Sequence, residues 1–168
     1  APHLKGQGVD FIRGDVRDFS FPKTEYDSII HAAADTNLAV IKESPISLLD
    51  TITQGTRRTL DFAASCNARD FLYLSSGAVY GPQPVTMTHL SEKYLGAANA
   101  LGSGSEYSEG KRMAETLCSL YARQFGLNVK IARCFTFLGS LLPLDGRFAA
   151  GNFIGNALKN QPIEINGD

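Results

Sequence analysis

Short apolar runs alternate along this chain with longer segments of helical periodicity, and this alternation strongly limits the folds that the chain can adopt. The runs span residues 8–15, 26–34, 71–76, 128–135 and 162–166. Apolar runs bounded by turn residues are typical of strands, and the uninterrupted run at 71–76 predicts burial on both faces. Parallel strands need a long crossover between them, which is usually a helix. We therefore predict an α/β fold with a doubly wound parallel sheet.

Three segments between the runs have the spacing of amphipathic helices. They cover residues 44–65, 106–125 and 148–160. The first segment opens with serine and proline, which suit the N-cap and the first helical position. Gly126 suits the C-cap of the second segment. Residues 80–105 are rich in Pro, Gly, Ser, Thr and Asn, and this composition predicts a long loop.

The composition argues against several classes of function. The formal net charge is −1 and there is no basic block, so binding to nucleic acid through phosphate neutralisation is not expected. No apolar stretch has the length of a membrane span, and no secretory leader pattern opens the chain. Cys66, Cys118 and Cys134 are widely spaced, which favours reduced thiols in the cytoplasm over a disulfide framework or a metal site.

Small and polar residues follow four of the predicted strands, at the edge where open parallel sheets bind ligands. These residues are at positions 14–15, 31–34, 75–76 and 133–136. Each stretch alone has a structural explanation, since an Asp after a strand is often a turn residue. We expect His31 to be a hydrogen-bonded structural histidine and not a base. The coincidence of the four stretches at one edge is what predicts a binding site.

Tyr107 and Lys111 lie four residues apart in the segment SEYSEGKRMAETL, and one helical turn puts them on the same face. An ammonium beside a phenol favours the phenolate, and a nearby serine hydroxyl could share a proton with a substrate oxygen. Such a group suits proton transfer at a sugar or alcohol hydroxyl while a hydride moves elsewhere. The spacing often arises by chance, so the hypothesis depends also on the serines at 75–76 and the long loop.

Six motifs, in order along the chain, resemble the extended short-chain dehydrogenase/reductase family in its NAD-dependent epimerase/dehydratase branch, which acts on nucleotide sugars. The motifs are GDVRD (14–18), HAAA (31–34), GTRRTLDFA (55–63), YLSSGAVYGP (73–82), YSEGK (107–111) and RCFTFLG (133–139). The resemblance implies a partial Rossmann-like NAD(P)-binding domain over residues 1–139. It also implies that residues 140–168 begin a substrate-binding domain, because 153–168 is similar to the family's substrate-domain helix and following strand.

The same resemblance implies an NAD cofactor, with NADP as the alternative, along the sheet edge. Asp15 and Val16 would cradle the adenine. The other residues that it assigns to the cofactor are Ala32, Ala33, Ala34, Ser75, Tyr107, Lys111 and Phe135. Within this set, Lys111 would hold the nicotinamide ribose and tune the tyrosine.

The resemblance also implies a catalytic group and a nucleotide-sugar substrate. Ser76 would orient the substrate, and Tyr107 would be the general acid/base, assisted by Lys111. The residues assigned to substrate binding are Ser76, Gly77, Ala78 and Thr136. A homodimer is implied as well, through a four-helix bundle made from the helix at about 45–65 and the helix that carries Tyr107.

The chain departs from the family pattern in three places. No glycine-rich loop follows a first strand, since GQG at 6–8 precedes a strand. We therefore expect that the first strand–helix–strand unit lies upstream of Ala1, and that the fragment alone binds dinucleotide poorly and is inactive. Ile52 and Thr136 each stand where many members carry Asn.

The dipeptide Gly77-Ala78 narrows the reaction type. Family dehydratases carry an acidic pair at these positions, and a decarboxylase would want an acid at the second. We therefore expect an NAD-dependent epimerase that acts through a transient keto-sugar. The alternatives are an NADPH-dependent keto-sugar reductase, a nucleotide-sugar dehydratase or, in another class, a non-catalytic dinucleotide-sensing protein. A sensor would not need Ser76, Tyr107 and Lys111 together.

Overall fold

The computed structural model describes residues 6, 8–34, 44–142, 144 and 148–165. Three parallel strands form one sheet in the order β1-β2-β3, where β1 is Ser28–His31, β2 is Asp70–Ser76 and β3 is Asn128–Cys134. The helices are α1 (Pro45–Ser65), α2 (Ser105–Phe125) and α3 (Ala149–Leu158), and a 3₁₀ turn (Gly77–Tyr80) follows β2 directly. The predicted parallel α/β fold is therefore confirmed.

The register of the strands brings their carboxyl ends to one edge of the sheet. Ser28 pairs with Asp70, and Asp70 pairs with Asn128, so the three strands start at the same level. β2 and β3 end together, because Ser76 pairs with Cys134. All the residues that follow these strands therefore lie at the same edge, as the sequence predicts.

The helices lie where their periodicity predicts, within a few residues at each end. Gly126 has a φ of 70° and its N–H donates to the Ala122 carbonyl, which confirms it as the C-cap of α2. Ser44 precedes α1, but its side chain makes no capping hydrogen bond. Its carbonyl oxygen accepts the first helical bond, from the Leu48 N–H at 3.1 Å.

Two predicted strands are wrong within the described residues. Residues 8–15 and 162–165 form no strand, and Asn166, the last residue of the second run, lies outside the described residues, as does Gln7 of the GQG stretch. Large apolar side chains in both segments are exposed, including Phe11 at 59% and Ile165 at 78%. A strand needs a neighbour to pair its backbone N–H and C=O groups, and neither segment has a described strand beside it.

The core lies between the sheet and the two long helices, α1 and α2, which pack on the same face. Its buried members are Leu48, Ile52, Leu60, Ala63, Ala68, Phe71, Tyr73, Ala114, Cys118 and Leu127. Burial along β2 alternates, so the prediction that this strand is buried on both faces is wrong: the face bearing Leu72 is half-buried. Ile52 is 1% exposed in this core.

Gly110 sets the close approach of the two helices. A Cβ at this position of α2 would lie 3.2 Å from Leu49 Cδ1 and 3.4 Å from two atoms of Ile52 on α1. The absence of a side chain lets the α2 backbone settle onto the α1 side chains. This packing holds the turn of α2 that carries Tyr107 and Lys111 against the sheet edge.

Candidate functional site

A cleft of about 480 Å³ opens at the carboxyl end of β1. It brings together four residues predicted to bind the cofactor: Asp15, Val16, Ala32 and Ala33. Ala34, which is also predicted to bind the cofactor, is half-buried against the core beside the cleft. The sequence reasoning missed the apolar walls of the cleft, which Ile12, Phe19, Ile29, Ile30 and Phe62 contribute. The volume suits a small organic ligand, since such sites span roughly 300–1,000 Å³.

The Asp15 carboxylate is held in place by Arg17. It accepts hydrogen bonds from the Arg17 backbone N–H at 2.8 Å, from Nε at 3.0 Å and from Nη2 at 2.6 Å. These bonds stabilise the ionised form and lower the pKa of Asp15 to about 2. Asp15 is therefore an ionised acceptor at neutral pH.

Two contacts anchor the segment after Asp15 to α1. A Cβ at Gly55 would lie 2.7 Å from Val16 Cγ1, so the glycine within α1 makes room for Val16. Arg58 donates to the Phe19 carbonyl at 2.8 and 3.2 Å, and its guanidinium lies 4.0 Å from the centroid of the Phe21 ring. The motif beginning at Gly55 therefore shapes the cleft from the helix side.

His31 is a structural histidine, as the sequence predicts. Its Nε2 forms a hydrogen bond of 3.0 Å with Thr56 Oγ1, and its ring stacks on Tyr73 with centroids 5.6 Å apart. Burial, together with the nearby charge of Lys111, lowers the pKa of His31 to about 4. The imidazole is therefore neutral at physiological pH.

Lys111 and Tyr107 are brought together at the sheet edge. The Lys111 ammonium lies 5.8 Å from the centroid of the Tyr107 ring and 5.0 Å from that of Tyr73. Its Nζ donates to the Leu74 carbonyl at 2.8 Å. The residue is 4% exposed, and this burial lowers the pKa of Lys111 to about 8. Tyr107 is half-buried and packs against the core.

Ser76 ends β2 two residues beyond the carbonyl that holds Lys111. Its hydroxyl oxygen accepts a hydrogen bond of 3.2 Å from the Ala78 N–H and so caps the 3₁₀ turn. The adjacent Ser75 has a different environment: it is 5% exposed and donates its hydroxyl to Glu115. Any contact of Ser75 with a cofactor would therefore use its backbone.

The predicted substrate residues form an open rim beside Ser76. The Phe135 ring lies over Gly77, where an added Cβ would be 2.5 Å from its Cε1 atom. Phe135 also stacks on Tyr80, with centroids 6.4 Å apart, and is 68% exposed. Ala78 and Thr136 are exposed on the same rim. Positions 77 and 78 therefore offer no carboxylate to a substrate.

The sequence reasoning missed a network built on Glu115. This carboxylate accepts from Ser75 and from the guanidinium of Arg133, whose pKa it raises above the usual range. The sequence signal that could have found Glu115 was its spacing, because it lies one further turn along α2 from Lys111.

Among the described residues, no group of three or more His, Cys, Asp and Glu side chains is arranged to hold a metal ion. No helix in the described part of the chain is long and apolar enough to cross a membrane.

A family model described as NAD dependent epimerase/dehydratase family matches residues 1–168. The chain belongs to this family. It is 34% identical over 166 residues to UDP-glucuronic acid decarboxylase 4 from Arabidopsis thaliana, a match that covers 99% of the chain and 36% of that relative. It is 36% identical over 143 residues to UDP-glucuronic acid decarboxylase 1 from Danio rerio, covering 85% and 34%. The chain thus spans about a third of the length of these relatives.

Solved structures place the chain among Rossmann-like folds. UDP-glucuronic acid 4-epimerase from Bacillus cereus in complex with NAD matches with a TM-score of 0.79 and 24% identity, over 98% of this chain and 51% of that one. RMD from Pseudomonas aeruginosa complexed with NADPH matches with a TM-score of 0.65 and 26% identity, over 76% and 43%. The family is one of NAD(P)-dependent enzymes, as the motifs imply.

Proposed function

We propose that this chain is part of an NAD-dependent nucleotide-sugar epimerase in which Tyr107 is the general acid/base. The observation that carries the proposal is the position of Lys111: its ammonium is buried, bonded to the end of β2 and next to the Tyr107 ring. An ammonium in this position would stabilise the negative charge that develops on the phenol oxygen during proton transfer. Ser76, at the end of the same strand, offers the hydroxyl that would orient the sugar.

The three side chains divide the proton chemistry between them. Tyr107 would take the proton from one sugar hydroxyl and later return it to the same oxygen. Lys111 would stabilise the phenolate, and Ser76 would hold the reacting oxygen through a hydrogen bond. When bound, NAD supplies the hydride acceptor and then the hydride donor for the transient keto-sugar.

The cleft beside β1 would hold the adenine end of NAD. Its apolar walls suit a flat ring, and Ala32 and Ala33 line it at the sheet edge. The ionised Asp15 can accept a hydrogen bond at its mouth. No glycine-rich turn between strand and helix lines this cleft among the described residues, so these residues do not supply the usual pyrophosphate contacts. That the 168-residue chain alone binds dinucleotide poorly and is inactive stays a prediction.

The rim residues support epimerisation over loss of water or carbon dioxide. The curated relatives are decarboxylases, but Gly77 and Ala78 provide no acid at the positions where a dehydratase or decarboxylase would use one. Filling the first position would also require the Phe135 ring to move. Epimerisation needs no further carboxylate, because the proton and the hydride both return to the sugar.

A keto-sugar reductase is the second candidate. The likeness to RMD, whose structure contains NADPH, favours it. The two reactions differ in what happens to the cofactor: an epimerase regenerates NAD in each turnover, whereas a reductase consumes NADPH and releases the oxidised form. A non-catalytic dinucleotide sensor is a third candidate, but such a protein would not need a buried Lys111 beside Tyr107.

The first test identifies the nucleotide that the full-length gene product carries. The purified protein is denatured, and any released nucleotide is identified by mass spectrometry. Nearly stoichiometric NAD supports the epimerase. A protein that is purified empty and then binds NADPH indicates the reductase, and a protein that binds neither contradicts the catalytic proposal.

The second test removes the acid/base. Tyr107→Phe should reduce turnover by about 100-fold or more, in line with the contribution of general acid–base groups, while NAD binding changes little. UDP-glucose and UDP-glucuronic acid are the probes, with products identified by NMR. Tyr121→Phe is the matched control, because the Tyr121 hydroxyl bonds to Asp61 on α1 and not to the sheet edge. Normal turnover in Tyr107→Phe would disprove the role of the phenol, and carbon dioxide release would identify a decarboxylase.

A homodimer through α1 and α2 is part of the proposal. Both helices expose apolar side chains at helical spacing: Ile46 and Leu49 on α1 are 76% and 37% exposed, and Met113 and Leu120 on α2 are 54% and 43% exposed. Two copies of this surface would form the four-helix bundle. We expect Leu120→Asp to lower the molar mass measured by light scattering from that of a dimer to that of a monomer.

We also propose a cytoplasmic location and a domain boundary after residue 139. A cytoplasmic location rests on the three free thiols, which suit a reducing compartment. The division into a cofactor domain over 1–139 and the start of a substrate domain over 140–168 rests on the family resemblance. Fusion of the protein to a redox-sensitive reporter would test the location. Limited proteolysis around residue 140 would test the domain boundary.

A further inference from the structure

The carboxylate of Glu115 joins three secondary-structure elements beside the proposed catalytic group. Ser75 on β2 donates its hydroxyl to Oε1 at 2.6 Å. Arg133 on β3 donates Nε to Oε1 at 2.9 Å and Nη2 to Oε2 at 2.7 Å. The Glu115 side chain is 12% exposed and the Arg133 side chain is 32% exposed, so the pair is partly shielded from water. Two parallel bonds between a guanidinium and a carboxylate are strong and fix the relative orientation of both groups.

Glu115 continues the stripe of α2 that carries the proposed acid/base. Tyr107, Lys111 and Glu115 follow one another at intervals of four residues, so they share one face of the helix. This face contacts β2 twice in succession: Lys111 bonds to the Leu74 carbonyl, and Glu115 bonds to the Ser75 hydroxyl. The two contacts come immediately before Ser76 in the chain.

The same carboxylate also supports the turn that follows Ser76. Arg133, which Glu115 holds, places its guanidinium 4.7 Å from the centroid of the Tyr80 ring. Tyr80 is 4% exposed and closes the 3₁₀ turn, and its ring stacks on Phe135 at the substrate rim. Loss of the Glu115 carboxylate would therefore loosen the strand end and the turn that flank Ser76.

We propose that Glu115 is a positioning residue that keeps Ser76 and the end of β2 in register with the Tyr107–Lys111 face of α2. It acts through Ser75 and Arg133, because its own oxygens are taken up by these two side chains. The inference rests on the proposed function of Tyr107 and Lys111. The competing explanation is an ion pair that contributes only to overall stability.

The pKa of Lys111 reports on how deeply its ammonium is buried, and it can be measured without turnover. Its side chain is titrated by NMR on protein labelled at the lysine Cε. In Ser75→Ala, which changes no charge, we expect the pKa of Lys111 to rise from about 8 toward the ~10.4 of a lysine in water, because the ammonium becomes better hydrated. Glu115→Gln should raise the pKa as well. Removal of a negative charge by itself would lower it, so a rise in both variants reports lost positioning.

The groups that face Lys111 must titrate outside the range used or be monitored in parallel. They are His31 on β1, Tyr73 on β2, Tyr107 on α2 and Cys134 on β3. His31 has a pKa of about 4 and stays neutral throughout. A signal from the Cys134 thiol is removed by repeating the titration in a Cys134→Ser background.

Tyr121→Phe is the matched control for the titration. It removes a partly buried hydrogen bond from the same helix, but that bond joins α2 to Asp61 on α1 and does not involve β2. We expect its effect on stability to resemble that of Ser75→Ala and the Lys111 titration to stay unchanged. Ser75→Thr, which keeps the hydroxyl, should restore the wild-type titration.

An unchanged or lowered pKa of Lys111 in Ser75→Ala would overturn the proposal, even if the variant is less stable. Ser75→Ala decides the question alone if Glu115→Gln does not fold. In the active full-length protein, both variants should lower kcat by about 10- to 100-fold and change KM by less than about 2-fold, as expected for misplaced catalytic groups. Normal turnover of Tyr107→Phe would refute the proposed function but would leave the titration result standing, so the two failures are distinguishable.

Discussion

Replacing Lys111 with methionine should stabilise the folded chain at neutral pH. The side chain is 4% exposed, and its burial lowers the pKa of Lys111 from 10.5 to about 8. A difference of this size corresponds to about 3 kcal/mol of unfavourable free energy for burying the charged form. Methionine keeps the unbranched shape but loses a hydrogen bond from the charged ammonium to the Leu74 carbonyl, worth about 1.5–3 kcal/mol. The expected net gain for Lys111→Met is therefore about 0–1.5 kcal/mol at pH 7.

The gain should depend on pH in a defined direction. Folding lowers the pKa of Lys111, so the unfolded chain binds this proton more tightly than the folded chain does. Wild-type stability therefore rises as the pH increases from about 8 toward 10.5, and this contribution is constant below about 8. Lys111→Met lacks the titrating group. The difference in stability between the two proteins should therefore shrink between pH 7 and pH 9.5.

Urea unfolding followed by circular dichroism at the two pH values measures both effects. Lys159→Met is the control, because Lys159 is exposed at the end of α3 and its replacement should change stability by less than about 0.5 kcal/mol. A destabilised Lys111→Met protein at pH 7 would show that the bond to Leu74 outweighs the burial of the charge. A difference that stays constant with pH would refute the reasoning from burial.

Three other predictions concern packing and reactivity. Gly81→Ala should lower the free energy of unfolding by about 2–4 kcal/mol, because φ is 68° and an added Cβ would lie 2.1 Å from a backbone carbonyl oxygen. Gly139→Ala is the control, because an added Cβ there meets nothing within 4 Å and should change the stability little. Equal effects of the two substitutions would contradict the steric explanation. Leu60→Ala should lower it by about 2–5 kcal/mol in urea unfolding, because Leu60 is 0% exposed; a smaller loss would mean that the core collapses around the gap. Cys118 should resist a thiol reagent in the native protein, because it is fully buried and burial raises its pKa to about 12. Cys134, which is only partly buried, should react with the reagent. Rapid reaction of all three thiols without denaturant would be inconsistent with this core.

The features that could be predicted from the sequence depend on neighbours close in the chain. Helical hydrogen bonds join residues four apart, so the bounds of α1 and α2 and the Gly126 cap follow from local spacing and backbone preference. The pairing of Tyr107 with Lys111 is local for the same reason. Their common edge with the end of β2 follows from the rule that parallel strands point the same way.

The strand predictions failed where no partner could be read from the chain. Residues 8–15 and 162–165 have the composition of strands but no described neighbour to pair with, whereas β2 has one on each side. Composition also misjudged the burial of β2, because an apolar run does not say which face the helices cover. Pairing and coverage depend on residues far away in sequence, so propensity alone does not predict them.

The sequence by itself determined the family, the alternation of strands and helices, and the local geometry of Tyr107 and Lys111, because all of these are encoded in motifs or in short-range spacing. Only the tertiary structure decided how deeply Lys111 is buried and which groups hold the strand end in place. Glu115 meets Ser75 across 40 residues and Arg133 across 18. Such contacts form only after the sheet has brought distant segments together, and the partial burial of the Glu115 carboxylate strengthens them.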